Sequence, residues 1–148
     1  MTKKAITVLA LVALAVLIGR FTVQSIARAQ DGCAVANLKG AYGLAINGFF
    51  YYQDGTQGVY ASAGVAIADG NGGMSGIDTV NIDGAPTRGR QFNGTYSINN
   101  DCTGTVSLKD AQGKAIVNMD LVIANGGKEM ALVDYDSDVI LNGIAKLQ

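Results

Sequence analysis

The chain has 148 residues, with 11 basic and 12 acidic side chains, no histidine and a single glutamate, Glu129. The lack of histidine excludes Ser-His-Asp and Cys-His catalysis and histidine-ligated zinc, and one glutamate excludes a Glu pair for glycoside hydrolysis. Residues 30–148 carry seven basic and twelve acidic side chains, a net charge of −5 without a basic stripe, so we expect no nucleic-acid partner.

The N-terminus has the three parts of a secretory signal. Lys3 and Lys4 precede an uncharged run at 5–19, and a polar stretch ends in Ala27-Arg28-Ala29. This run is shorter than the roughly 20 residues that span a bilayer. We predict a signal peptide at 1–29, a single domain at 30–148, and a secreted protein, periplasmic or extracellular, without stable membrane insertion after cleavage. An uncleaved anchor is the alternative, because the stretch 20–29 is long and basic.

The two cysteines, Cys33 and Cys102, are predicted to form a disulfide. In an oxidising compartment an isolated pair in a short chain is most simply one bridge. It closes a loop of about 70 residues, which stabilises the fold by about 4 kcal/mol in the chain-entropy model. A redox-active role is the alternative, although the C-x-x-C spacing is missing.

From residue 38 onward the chain has short alternating segments separated by turn signals, a pattern typical of an all-β protein. The predicted strands are 38–46, 59–67, 74–82, 91–98, 102–109, 115–123, 128–135 and 139–147. Eight antiparallel strands with short turns predict an up-and-down, calycin-like β-barrel, and the alternative is a two-sheet β-sandwich. Gly40, Gly94 and Gly104 on the apolar faces would let strands bend as a small barrel requires.

The residues predicted to point into the barrel are candidates for ligand binding. They are Tyr42, Leu44, Ile46, Val65, Phe92, Tyr96, Met119, Leu121 and Leu132. Large side chains interleaved with Ala61, Ala63 and the glycines either line a cavity for a small hydrophobic molecule or pack into a solid core.

Three aspartates at alternate positions, Asp134, Asp136 and Asp138, are weak candidates for a calcium site. Calcium takes six or more oxygen ligands, so a solvated acidic turn is the alternative interpretation. The sequence predicts no catalytic residue and no cofactor.

Two segments carry a resemblance to a group of small secreted bacterial proteins of unknown function. They are Cys33 followed by Leu38-Lys39-Gly40-Ala41-Tyr42-Gly43, and Asp101-Cys102-Thr103-Gly104-Thr105. The resemblance implies a compact secreted barrel, similar in outline to lipocalin and allene-oxide-cyclase barrels. Gly40-Ala41-Tyr42 stands where lipocalins have Gly-x-Trp, and Val133-Asp134-Tyr135 departs from their Thr-Asp-Tyr, so the likeness is one of architecture.

Three functions remain open at this point. The first is binding of a small hydrophobic molecule in the barrel interior. The second is a structural or surface-interaction module with a packed interior. The third is a cofactor-free isomerase or cyclase, which needs an Asp, Tyr or Lys with a shifted pKa inside the cavity. We expect binding rather than catalysis, and the sequence does not predict an oligomeric state.

Overall fold

The computed structural model describes residues 32–148, which form a closed barrel of eight antiparallel strands. The strands are β1 (Lys39–Tyr51), β2 (Gln57–Asp69), β3 (Gly73–Ile82), β4 (Ala85–Ile98), β5 (Thr103–Asp110), β6 (Ala115–Ala124), β7 (Glu129–Asp134) and β8 (Val139–Leu147). Each strand pairs with the next, and β8 pairs with β1. The up-and-down barrel prediction is therefore confirmed, and the sandwich alternative is wrong.

The predicted signal peptide and its cleavage site lie outside the described residues. Within residues 32–148, no helix is long and apolar enough to cross a membrane. The only helical elements in this part of the chain are two 3₁₀ turns, Val35–Asn37 before β1 and Asn125–Gly127 between β6 and β7.

The first hairpin is longer than predicted. The prediction ended β1 at Ile46, and turn-forming Asn47 and Gly48 follow it in the sequence. In the structure Asn47 pairs with Ala61 of β2 on one side and with Asn142 of β8 on the other. Backbone hydrogen bonds to both neighbours override the weak turn preference of these two residues.

Aspartates organise several of the turns. Asp69 accepts backbone N–H bonds from Asn71 at 2.7 Å and Gly73 at 2.9 Å, and Asp101 accepts one from Thr103 at 3.0 Å. These donors hold the pKa of Asp69 below its ordinary value, and for Asp101 the Thr103 hydroxyl adds to the same effect. The turn residues thus satisfy backbone groups that the strand ladders leave unpaired.

Two inward glycines let adjacent strands approach closely. A Cβ atom at Gly94 would overlap with the carbonyl oxygen of Ser107, and one at Gly104 would overlap with that of Ser97. Both contacts lie between β4 and β5. The close approach of these two strands thus requires a residue without a side chain at each position.

The prediction for the inner face of β2 is wrong. Val65, like Ala61 and Ala63, was expected to point inward, but the buried residues of this strand are Gly58, Ser62, Ala66 and Ala68. Ala66 lies directly opposite Tyr42, which is fully buried, and residues opposite each other in an antiparallel pair share a face. Both faces of β2 carry small or apolar residues, so alternation alone did not distinguish them.

One end of the barrel, which we call the disulfide end, is closed by Leu38, Tyr42, Tyr96 and the Cys33–Cys102 bridge. The two cysteine Cα atoms are 4.9 Å apart, which confirms the predicted disulfide. The Tyr42 hydroxyl donates to the Gly127 carbonyl at 2.7 Å, and burial raises the pKa of Tyr42. This end is therefore sealed by apolar packing and directed hydrogen bonds.

The outer wall has an apolar and a polar side. On β4 and β5 the outward residues include Thr95, Ser97 and Thr105, which form a polar stripe. On the opposite side large apolar side chains are about half exposed. They are Val59, Ile67, Val133, Ile140 and Ile144.

Candidate ligand-binding cavity

A polar cluster occupies the inner wall toward the other end of the barrel, which we call the mouth. The mouth is the end at which the β1–β2, β3–β4, β5–β6 and β7–β8 connections lie. The cluster consists of Tyr60 and Ser62 of β2, Asp78 of β3 and Arg90 of β4. Arg90 donates from Nε to Asp78 Oδ1 at 3.0 Å and from Nη2 to Asp78 Oδ2 at 2.6 Å. Nη2 also donates to the Tyr60 hydroxyl at 3.0 Å, and the Ser62 hydroxyl donates to Asp78 Oδ2 at 2.6 Å.

The two charges of the cluster are largely removed from water. The side chain of Asp78 is 4% exposed and that of Arg90 is 22% exposed. Burial by itself would lower the pKa of Arg90, but the hydrogen bonds to Asp78 and Tyr60 outweigh it and raise that pKa above its ordinary value. The guanidinium therefore stays charged, and a two-point bond to a carboxylate fixes its plane.

The groups of the cluster that have no hydrogen-bond partner are mainly donors. Within residues 32–148, Arg90 Nη1 donates to no protein acceptor, and the Tyr60 hydroxyl accepts from Arg90 without donating in turn. Both Asp78 oxygens already accept hydrogen bonds. These unused donors belong to side chains that border an internal void.

Two small voids lie along the barrel axis. The void at the mouth has a volume of about 20 Å³ and is bordered by Tyr60, Asp78 and Arg90 together with six apolar residues. The central void has a volume of about 30 Å³ and an entirely apolar lining. Four side chains border both voids and separate them: Leu44, Ile46, Phe92 and Leu108. Pockets for drug-sized ligands are roughly 300–1,000 Å³, so the barrel is nearly packed and retains room for only a few atoms.

The structure brings five of the nine predicted ligand-binding residues together around the central void. They are Leu44, Ile46, Phe92, Met119 and Leu132. Tyr42, Tyr96 and Leu121 are buried but border neither void, and Val65 lies on the outer face.

Sequence reasoning missed the polar cluster. The sequence feature that could have revealed the cluster is a charged residue at an inward position of a strand with alternating polarity. Asp78 follows Met74 and Gly76 on the inner face of β3, and Arg90 precedes Phe92 on that of β4. A charge in such a place needs a partner, because burying it alone is very costly.

The aspartates near the β7–β8 turn make hydrogen bonds within the protein. Among residues 32–148, no group of three or more His, Cys, Asp or Glu side chains is arranged to hold a metal ion. Asp136 instead accepts from the Asn118 backbone and side-chain nitrogens, each at 2.8 Å. Asp134 accepts from the Asp136 backbone at 2.7 Å, while its Oδ2 is buried without a partner, and burial raises the pKa of Asp134. Asp138 lies in the turn with a positive φ of 65°.

The sequence matches no protein-family model, and a search of curated proteins gives no match. Two solved structures are similar to the chain. A redesigned β-barrel, mFAP1, bound to DFHBI, aligns with a TM-score of 0.52 at 17% identity, over 76% of this chain and 97% of that one. A second redesigned barrel, b11L5F_LGL, aligns with a TM-score of 0.49 at 17% identity, over 78% of this chain and 95% of that one. The likeness to mFAP1 supports the assignment of the chain to the small closed β-barrels.

Proposed function

We propose that the protein binds a small, mostly apolar molecule inside the barrel, on the mouth side. The observation that carries this proposal is the position of the Asp78–Arg90 pair, which borders an apolar void and leaves hydrogen-bond donors unused. An apolar pocket with a few convergent polar groups is the usual form of a small-molecule site.

A purely structural role explains the ion pair less well. Taking both charges out of water costs several kcal/mol per ion, and apolar residues of similar volume often replace such pairs without loss of stability. A barrel that needed only a filled interior would gain little from Asp78 and Arg90. Their position beside a void is explained if they orient a ligand.

The lining can adapt to a ligand larger than the present voids. Met74, Met119 and Met130 border the central void, and methionine fills irregular space with little rotational cost. Movement of Leu44 and Leu108 would join the two voids into one channel that leads from the mouth. The redesigned barrel mFAP1, which has a similar fold, is bound to DFHBI, so binding of a small molecule is compatible with this architecture.

The other functions suggested by the sequence have less support. An isomerase or cyclase needs a free acid or base at the cavity, whereas the Asp78 carboxylate is held by Ser62 and Arg90. A module with a packed interior would act through the apolar side of the outer wall. We also propose that the protein is secreted, since the disulfide suits an oxidising compartment.

Binding can be tested by filling the mouth void. Val117 is 7% exposed and borders this void, so Val117→Ile places a further methyl group in it. Val122→Ile is the matched control, because Val122 lies on the same strand and is 50% exposed. Small apolar molecules are screened by native mass spectrometry and by thermal shift. We expect Val117→Ile to weaken binding at least tenfold while the control has no effect.

Two results would contradict the proposal. If no compound binds the wild-type protein, the packed-interior module replaces it. If a compound binds equally well to wild type and Val117→Ile, the site lies away from the mouth void.

A further inference from the structure

We infer that the ligand carries an uncharged oxygen that accepts hydrogen bonds, as in a ketone, ester or lactone, and that Tyr60 and Arg90 bind this oxygen. The inference rests on the proposed function and names the chemical class of its ligand. It follows from the kind of hydrogen-bonding groups that remain unused at the mouth and from their net charge.

The groups available to a ligand at the mouth void are donors. The Tyr60 hydroxyl accepts from Arg90 Nη2 at 3.0 Å, so its own hydrogen is available. The Arg90 Nη1 group contributes two further N–H bonds. Ser62 has spare lone pairs, but it is buried and does not border the void. The acceptors that border the void, the Asp78 carboxylate and the Tyr60 oxygen, already accept hydrogen bonds, so a ligand group that only donates would compete with Arg90 and Ser62 for them.

The net charge of the cluster favours a neutral acceptor over an anion. The salt bridge between Arg90 Nη2 and Asp78 Oδ2, at 2.6 Å, cancels the charge of the guanidinium. A carboxylate on the ligand would lie close to the Asp78 carboxylate and would lose its hydration without a free positive charge in return. A carbonyl oxygen has two lone pairs, carries no net charge, and can accept from Tyr60 and Arg90 together.

The remainder of the ligand would contact apolar side chains. The lining of the mouth void includes Leu44, Phe92, Leu108, Ile116 and Val117. The void holds few atoms, so the apolar part is compact. A ring of about six carbons is a suitable probe, because it can be held once Leu44 and Leu108 move and join the two voids.

Four probes of one shape separate the alternatives: cyclohexane, cyclohexanone, cyclohexanecarboxylate and cyclohexylamine. The full chain is expressed with isotope labels, and the exported protein is purified. Each probe is titrated into it, and the changes in the chemical shifts of the barrel amides give the dissociation constants. We expect cyclohexanone to bind at least tenfold more tightly than the other three. We expect Tyr60→Phe to weaken cyclohexanone binding about three- to tenfold, as loss of one hydrogen bond predicts, and to leave cyclohexane binding unchanged.

Tyr135→Phe is the matched control, since Tyr135 is exposed outside the barrel. Equal binding of cyclohexane and cyclohexanone would refute the inference and leave the proposed function intact. Tightest binding of the carboxylate or the amine would also refute it, because the cluster would then select a charge. Absence of binding by all four probes and by the wider screen would refute the proposed function itself. The probe series uses the wild-type protein, so it remains decisive even if a variant fails to fold.

Discussion

The Tyr96 hydroxyl connects three separate segments at the disulfide end, so its removal should measurably destabilise the barrel. It donates to the Leu38 carbonyl at 2.7 Å and accepts from the Gly70 backbone N–H at 3.0 Å. Tyr96 is 5% exposed and Leu38 is fully buried. Water is therefore poorly placed to replace the lost partner of the carbonyl.

Tyr96→Phe removes one oxygen and leaves both backbone groups unpaired. Each unpaired buried group costs about 1–3 kcal/mol, and Gly70 is only partly buried, so we expect a loss of about 2–4 kcal/mol in the free energy of unfolding. For a domain of this size that corresponds to a fall in Tm of roughly 8–16 °C.

The assay is urea unfolding followed by far-ultraviolet circular dichroism, with Tyr135→Phe as the control. Tyr135 is 53% exposed, and its substitution should change the free energy by less than about 0.5 kcal/mol. A Tyr96→Phe variant as stable as this control would show that the hydroxyl does not hold the three segments together.

Three further predictions concern stability. Cys33→Ser with Cys102→Ser should cost about 4 kcal/mol in urea unfolding, and a cost below 1 kcal/mol would mean that the denatured chain gains little freedom. Asp134→Asn should stabilise the protein at pH 7 by on the order of 1 kcal/mol, because it removes a charge that burial and the neighbouring Asp136 disfavour. The pKa of Asp134 is raised, so its protonated form favours folding. The gain should therefore shrink at pH 4, and an equal gain at both pH values would exclude a charge effect. Hydrogen bonds lower the pKa values of Asp69 and Asp101, so Tm should fall as the pH drops below about 4, whereas a pH-independent Tm would contradict this.

The barrel could be predicted because its strands alternate and its turns contain Gly, Asn and Asp. The pattern on β4 separated Phe92 and Tyr96 cleanly from Asn93 and Thr95, and the structure places them on opposite faces. On β2 this contrast was missing. There the inner face is chosen by pairing with β1, which opposes Ala66 to Tyr42, and this long-range information is absent from a local pattern.

The candidate site was predictable only in its apolar part. Leu44, Phe92 and Met119 stood out as large inward residues. The pairing of Asp78 with Arg90 depends on the register between β3 and β4, where these residues lie directly opposite each other. A bulge between Asp78 and Val80 alters that register. The position of this bulge, and therefore the pairing of Asp78 with Arg90, could not be derived from the spacing of residues in the sequence.

The disulfide also bears on how the barrel closes during folding. The last pairing, between β1 and β8, joins residues such as Ala45 and Ile144, which are about 100 positions apart. With Cys33 bonded to Cys102, the shortest covalent path between these two residues is only about 55 residues. Halving a loop in this way saves about 0.6 kcal/mol of closure entropy, which corresponds to roughly a threefold faster search for the final strand pair. An oxidised chain should thus complete its hydrogen-bonded ring sooner and spend less time with β1 and β8 exposed as free edges that other chains can join.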